Sequence, residues 1–243
     1  MHLCIDIGNT RCKYAIFDNG QIVESNILSA FEQFIFKDLI QQNKIKNVII
    51  SSVKKIAFLP FKNLLSPDVQ LFELDDQTAL PFNNLYKTPK TLGKDRLALV
   101  SGALKLYPEE NLLVVDAGTC ITYDFIDKDN NYHGGNILPG LNMRLKAMHH
   151  FTDKLPMLEL NHPVEFLGRD TSSAMMTGVV DAANFELEGF RKAYEEQFGL
   201  LRLIVTGGDS EYFETKIKSR IFVHPDLMMI GLNEILEYNL NQS

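Results

Sequence analysis

The stretch CIDIGNTRCKYAIFD, residues 4–18, has a near echo in VVDAGTCITYDFID, residues 114–127. Each ends an apolar run on an aspartate, follows it with glycine and threonine, and then resumes an apolar alternation. That pattern reads as two strands joined by a tight turn. Asp6 and Asp116 lie 110 residues apart in a chain of 243. A phrase that returns after nearly half the chain predicts a duplicated domain, with the halves at 1–110 and 111–243.

Working outward, the surroundings repeat as well. Strand-like runs at 3–8, 12–18 and 21–26, with Asn19-Gly20 as a hairpin turn, predict a meander. A helix is expected over 29–43, where Phe31, Phe34, Ile35 and Leu39 recur at helical spacing behind Ser29 as cap. Strands follow at 47–53 and 69–75, and a core-facing helix at 95–107 ends before Pro108. The second half starts over with LLVVDAG, ITYDFID and YHGGNIL. One or two helices are expected between Thr171 and Phe198, strands at 201–208 and 221–225, and a closing helix near 227–238. The fold class is therefore α/β, with a mixed sheet and helices in each half and a ligand cleft between the halves.

Composition narrows the function classes. A chain of 27.6 kDa hides roughly 70% of its unfolded surface and needs no staples to hold a core. Cys4, Cys12 and Cys120 form neither a CxxC nor a zinc spacing, which fits a reducing cytoplasm. The N-terminus lacks signal-peptide features, and no apolar run approaches the ~18 residues of a membrane span, so no membrane partner is expected. Thirty-one acidic against twenty-four basic residues give a net charge of −7, which disfavours nucleic acid.

Several stretches carry residues suited to chemistry. Gly8, Asn9, Thr10 and Lys13 combine close backbone approach, polar donors and a cation, a set that suits a phosphate; the alternative is a plain hairpin turn. In the second copy Asp116, Gly118, Thr119 and Thr122 recur, but nothing aligned with Lys13 is basic. GKDR at 93–96 sits where loop becomes helix. There Asp95 either accepts a proton from an attacking hydroxyl, with Arg96 holding an anion, or simply caps the helix. VTGGD at 205–209 suits a base or an anion, and equally an ordinary turn. GGNILPG at 134–140 reads as a rigid turn entering a helix, and His149-His150 as a solvated helix end. Walker, Rossmann, serine-hydrolase and zincin motifs are absent.

The ordered series DIGNTRCK (6–13), GKDR (93–96), DAGT (116–119), GGNILPGL (134–141), GRDT (168–171), TGGD (206–209) and PDLMMIGL (225–232) resembles the type III pantothenate kinases. That family belongs to the acetate and sugar kinase, heat-shock 70 and actin superfamily. The resemblance implies two ribonuclease-H-like domains and transfer of phosphate from ATP to pantothenate, the first step towards coenzyme A. It also implies an ATP site at Asp6, Ile7, Gly8, Asn9, Thr10, Arg11, Cys12 and Lys13, joined by Thr119. By the same resemblance Asp95 is the general base, and Tyr86, Gly93, Lys94, Asp95, Arg96 and Thr171 contact pantothenate. Asp116 holds a monovalent cation, potassium or ammonium, while Mg²⁺ accompanies ATP. A homodimer is implied too, leaving open which subunit supplies Thr171. Cys12, inside the phosphate loop, is expected to make activity sensitive to thiol reagents.

Three rival functions compete with this reading: another small-molecule kinase or a phosphatase of the superfamily, a non-catalytic nucleotide-binding accessory protein, and a ribonuclease-H-like nuclease. The GKDR carboxylate argues against the second, and the charge and glycine-rich loops against the third.

Overall fold

Strands form where the apolar alternation predicts them. β1 (His2–Ile7) and β2 (Cys12–Asp18) pair antiparallel, with Asp6 opposite Lys13 and Ile7 opposite Cys12. Asn19 and Gly20 both take positive φ, 49° and 77°, and turn the chain into β3 (Gln21–Leu28). The structure, a computed structural model, describes residues 1–8, 11–52, 58–163, 165–214 and 221–242. α1 (Gln33–Gln42) leads to β4 (Asn47–Ser52), parallel to β1, and α2 (Phe58–Asn63) leads to β5 (Gln70–Glu73), parallel to β4. Ser29 does not cap α1. β3 runs on to Leu28, so Ser29 is still leaving the strand, and Glu32 takes the N-cap position without a side-chain hydrogen bond.

After β6 (Asn83–Asn84), a 3-10 turn at Pro89–Thr91 delivers the chain into α3 (Lys94–Leu106). β7 (Leu112–Ala117), β8 (Cys120–Ile126) and β9 (Asn131–Pro139) then repeat the opening meander. GGNILP thus lies in β9 rather than in a turn, and Gly140 is the N-cap of α4 (Leu141–His150). α5 (Thr171–Phe198) is one helix of 28 residues, started by a reciprocal capping box between Asp170 and Ser173. β10 (Arg202–Thr206), α6 (Glu211–Glu214), β11 (Ile221–Val223) and α7 (Leu227–Leu240) complete the chain.

The duplication holds in topology for five strands of each sheet. One sheet runs β3-β2-β1-β4-β5, and in the other the strands run β9-β8-β7-β10-β11, with the same alternation of antiparallel and parallel neighbours. Two compact units result, Met1–Pro108 with Asp226–Ser243, and Glu109–Pro225. The last helix therefore packs with the first unit, whereas the repeat alone put it in 111–243. α7 lies along α3 and against β1 and β4. Two glycines allow that approach: a Cβ on Gly231 would stand 1.7 Å from the Ala98 carbonyl oxygen, and one on Gly102 2.4 Å from that of Leu227.

Alternation along the motif strands decides what each residue faces. Leu3, Ile5 and Ile7 pack with Val48, Ile50, Phe36 and Phe61 in the core of the first unit. The intervening residues face α7, where His2 Nδ1 lies 2.9 Å from Asn233 Oδ1, and Asp6 belongs to that set. In the second unit Leu113, Val115 and Ala117 pack with Leu145, Val180 and Leu187, residues of α4 and α5. Asp116 stands on the opposite face. Among the described residues no helix is long and apolar enough to cross a membrane.

Candidate active site

The β1–β2 turn is closed by the Gly8 N–H, which donates to the Arg11 carbonyl at 3.0 Å. That amide is spent on the turn itself. Asn9 and Thr10 lie outside the described residues, Arg11 is exposed, and the Ile7 side chain belongs to the core. Cys12 is fully buried beside Ile7, and burial together with the Asp6 charge pushes its thiol up to about 12. The expected thiol sensitivity does not follow, because the thiolate is the reactive form and this site suppresses it.

On the other face of the hairpin, Asp6 and Lys13 stand directly opposite one another. Asp6 is pushed up to about 6, first by burial and next by the charge of Asp95, while Lys13 and the Ser51 hydroxyl pull it back. Asp95 therefore acts on Asp6 from the start of α3, and the first unit gathers two carboxylates and a lysine from three separate motif positions.

GKDR is built around Asp95. Gly93 is the N-cap of α3, and Asp95 Oδ1 accepts from the Arg96 backbone N–H at 2.8 Å. Asp95 is not the cap, as the simpler reading of GKDR had it. The carboxylate folds back over Gly93, where a Cβ would lie 2.4 Å from Oδ1. The glycine thus leaves room for the acid. Arg96 is buried within α3, its guanidinium carbon 5.6 Å from the centre of the Tyr86 ring. Tyr86, Gly93, Lys94, Asp95 and Arg96 form one neighbourhood in this unit, in which a buried cation and an acid suit an anionic substrate with a hydroxyl.

In the second unit, the shorter β7–β8 turn is closed by the Gly118 N–H donating to the Cys120 carbonyl at 3.0 Å, with Thr119 exposed at its tip. Asp116 is faced across the hairpin by Thr122, at the position where the first copy has Lys13. Thr122 Oγ1 is buried and makes no hydrogen bond among the described residues. Gly207, at φ 98°, packs onto this turn: a Cβ there would fall 2.5 Å from Asp116 Oδ1 and 2.3 Å from the Ala117 carbonyl oxygen. Asp209 donates its backbone N–H to the Ala117 carbonyl, which places TGGD under the same turn, ahead of the short helix α6. Thr171 is the exposed first residue of α5.

Sequence reasoning missed Ser51 and Gly207 as a packing partner of Asp116; it singled out Lys13 and Thr122, but not that they stand directly opposite Asp6 and Asp116. Ser51 has no motif of its own; only the parallel register of β1 and β4 brings it beside Asp6. Among the described residues no cluster of three or more His, Cys, Asp or Glu side chains fits a metal ion. A cavity of about 580 Å³ in the second unit is lined by Glu110, Lys128, Arg191 and Arg202 and includes none of these motif residues. Its arginines are already engaged, Arg202 with Glu110 at 2.8 Å and Arg191 with Glu188 at 3.0 Å.

The profile of the type III pantothenate kinase family matches residues 2–193. A type III pantothenate kinase from Phocaeicola vulgatus is 44% identical, with 98% of this chain and 99% of that protein covered. One from Christiangramia forsetii is 41% identical over the whole of both chains. Among solved structures, a conserved putative Baf family transcriptional activator from Campylobacter jejuni superposes with a TM-score of 0.65 at 22% identity, covering 98% of this chain and 99% of that one. A putative sugar kinase from Cytophaga hutchinsonii gives 0.54 at 11% identity, with both chains fully covered. These two likenesses concern the fold alone.

Proposed function

The chain belongs to the type III pantothenate kinase family, and from that premise we propose how its residues move the γ-phosphoryl group of ATP to the primary hydroxyl of pantothenate, the first step towards coenzyme A. Phosphoryl transfer asks a protein for alignment and charge neutralisation more than for covalent chemistry. The observation that carries the assignment of roles is the pairing of Asp6 with Lys13 at the end of β1, in the same unit as Asp95, whose carboxylate is held at the start of α3 by the Arg96 amide.

Lys13, with the hairpin from Asp6 to Cys12, holds the phosphates of ATP, and Thr119 adds a hydroxyl. Asp95 takes the proton of the pantothenate hydroxyl as it attacks. Its carboxylate is preset by the Arg96 amide, which holds Oδ1. Arg96 and Lys94 supply charge for the carboxylate of pantothenate, and Tyr86, stacked near Arg96, with Gly93 shapes the pocket wall. Thr171 is a further pantothenate contact. Mg²⁺ travels on the ATP phosphates and neutralises charge there.

Asp116 would hold potassium or ammonium, a role supported by the neutral, buried Thr122 hydroxyl, unbonded among the described residues, that stands opposite it in place of a lysine. The kinase works in the cytoplasm as a homodimer. Support for a self-association surface comes from Phe166, Leu167 and Phe185 of the second unit, which are 72%, 68% and 64% exposed.

The test is a coupled assay of ADP release with and without pantothenate. Pantothenate-dependent release is expected, and Asp95→Asn should bind nucleotide normally while turnover falls about 10²- to 10⁴-fold. Near-normal turnover in that variant would remove Asp95 as the base.

A further inference from the structure

Ser51 is the one neighbour of Asp6 that no motif brought to notice. It stands in register with Asp6 on the parallel pair β1–β4, so both side chains project from the same face of the sheet. Its side chain is fully buried, and its Oγ makes no hydrogen bond of normal geometry among the described residues. A hydroxyl sealed from water and lacking a partner is costly to keep, and such a group calls for an explanation. The acceptor that the strand pairing sets beside it is the Asp6 carboxylate, in register on β1.

We propose that Ser51 is a positioning residue, whose hydroxyl donates to the Asp6 carboxylate and fixes its orientation towards the nucleotide. The proposal rests on the reading of Asp6 as an ATP-site residue. Asp6 is faced by Asp95 from α3, by Lys13 from β2 and by Ser51 from β4, and its charge is felt by Cys12. Asp95 repels the ionised form and Lys13 attracts it through space. Ser51 adds a short hydroxyl donor held on the neighbouring strand, and a donor fixed in this way sets the plane of a carboxylate.

The experiment uses the full chain labelled with ¹³C at aspartate carboxyls, with the Asp6 signal identified by its loss in Asp6→Asn. Ser51→Ala should move the Asp6 titration midpoint upward by roughly half a unit to one unit, since a donor to the ionised form has been removed. In kinetics, kcat/KM for ATP should fall about 2- to 5-fold more near pH 6 than near pH 8, and Ser51→Thr should recover part of the loss. A purely structural role would lower activity equally at both pH values and leave the midpoint in place; that result overturns the proposal. Should Ser51→Ala not fold, Ser51→Cys fills the same space with a weaker donor, and an unmoved midpoint there is equally fatal. If the parent protein releases no ADP with pantothenate, the functional reading fails, while the titration still decides whether Ser51 positions Asp6.

Discussion

Asp6 is half-buried with Asp95 acting on it, so its ionised form is disfavoured and its pKa stands at about 6. An acid whose folded pKa lies above its unfolded value binds its proton more tightly when folded. Its ionisation therefore lowers stability as pH rises through about 6, and the penalty vanishes below the unfolded carboxylate range. Asp6→Asn should raise stability near pH 8 by about 1 to 3 kcal/mol, give no gain near pH 3.5, and weaken ATP binding. Thermal unfolding at the two pH values, with a nucleotide titration, checks this. Gly93→Ala separates site from scaffold in another way. The backbone at φ −60° and ψ 132° accepts alanine, and the methyl group meets only the flexible end of Asp95. Turnover should fall roughly 10- to 100-fold, as expected of a displaced catalytic group, with stability changed by less than about 1 kcal/mol.

At the scale of elements, the two hairpins differ by the length of their turns. Four residues separate β1 from β2, and two separate β7 from β8. That difference sets Lys13 opposite Asp6 and Thr122 opposite Asp116. The crossing of α3 and α7 is likewise specific. Gly231 has the Ala98 carbonyl where a side chain would stand, and α7 cannot yield without unpacking from β1 and β4. Gly231→Ala should cost about 3 kcal/mol or more, lowering the melting temperature by about 6 to 12 °C. Calorimetry on the variant tests it, and an unchanged melting temperature would mean that the helices are free to separate.

For the whole molecule, duplication followed by divergence explains why similar phrases take different roles. A lysine beside Asp6 supplies fixed positive charge, whereas Asp116 faces a neutral hydroxyl. The expected consequence is cation dependence: replacing potassium with sodium should raise the KM for ATP. Thr122→Lys, which restores the first copy's arrangement, should make activity less responsive to added cation. Equal activity of the parent in potassium, ammonium and sodium would count against the Asp116 assignment.

By itself the sequence determined the strand-turn-strand units, their duplication, and the aspartates next to last in β1 and β7, because a period-two apolar pattern and glycine-rich turns are local properties. GKDR was legible as a loop entering a helix for the same reason. Only the tertiary structure decided that Asp95 acts on Asp6, that Ser51 stands beside it, that Cys12 turns into the core, and that α7 returns to the first unit. Each depends on parallel register or on close helix packing between residues far apart in the chain. Such contacts leave no periodic trace; they arise where burial of apolar faces and the room left by Gly102 and Gly231 select one packing.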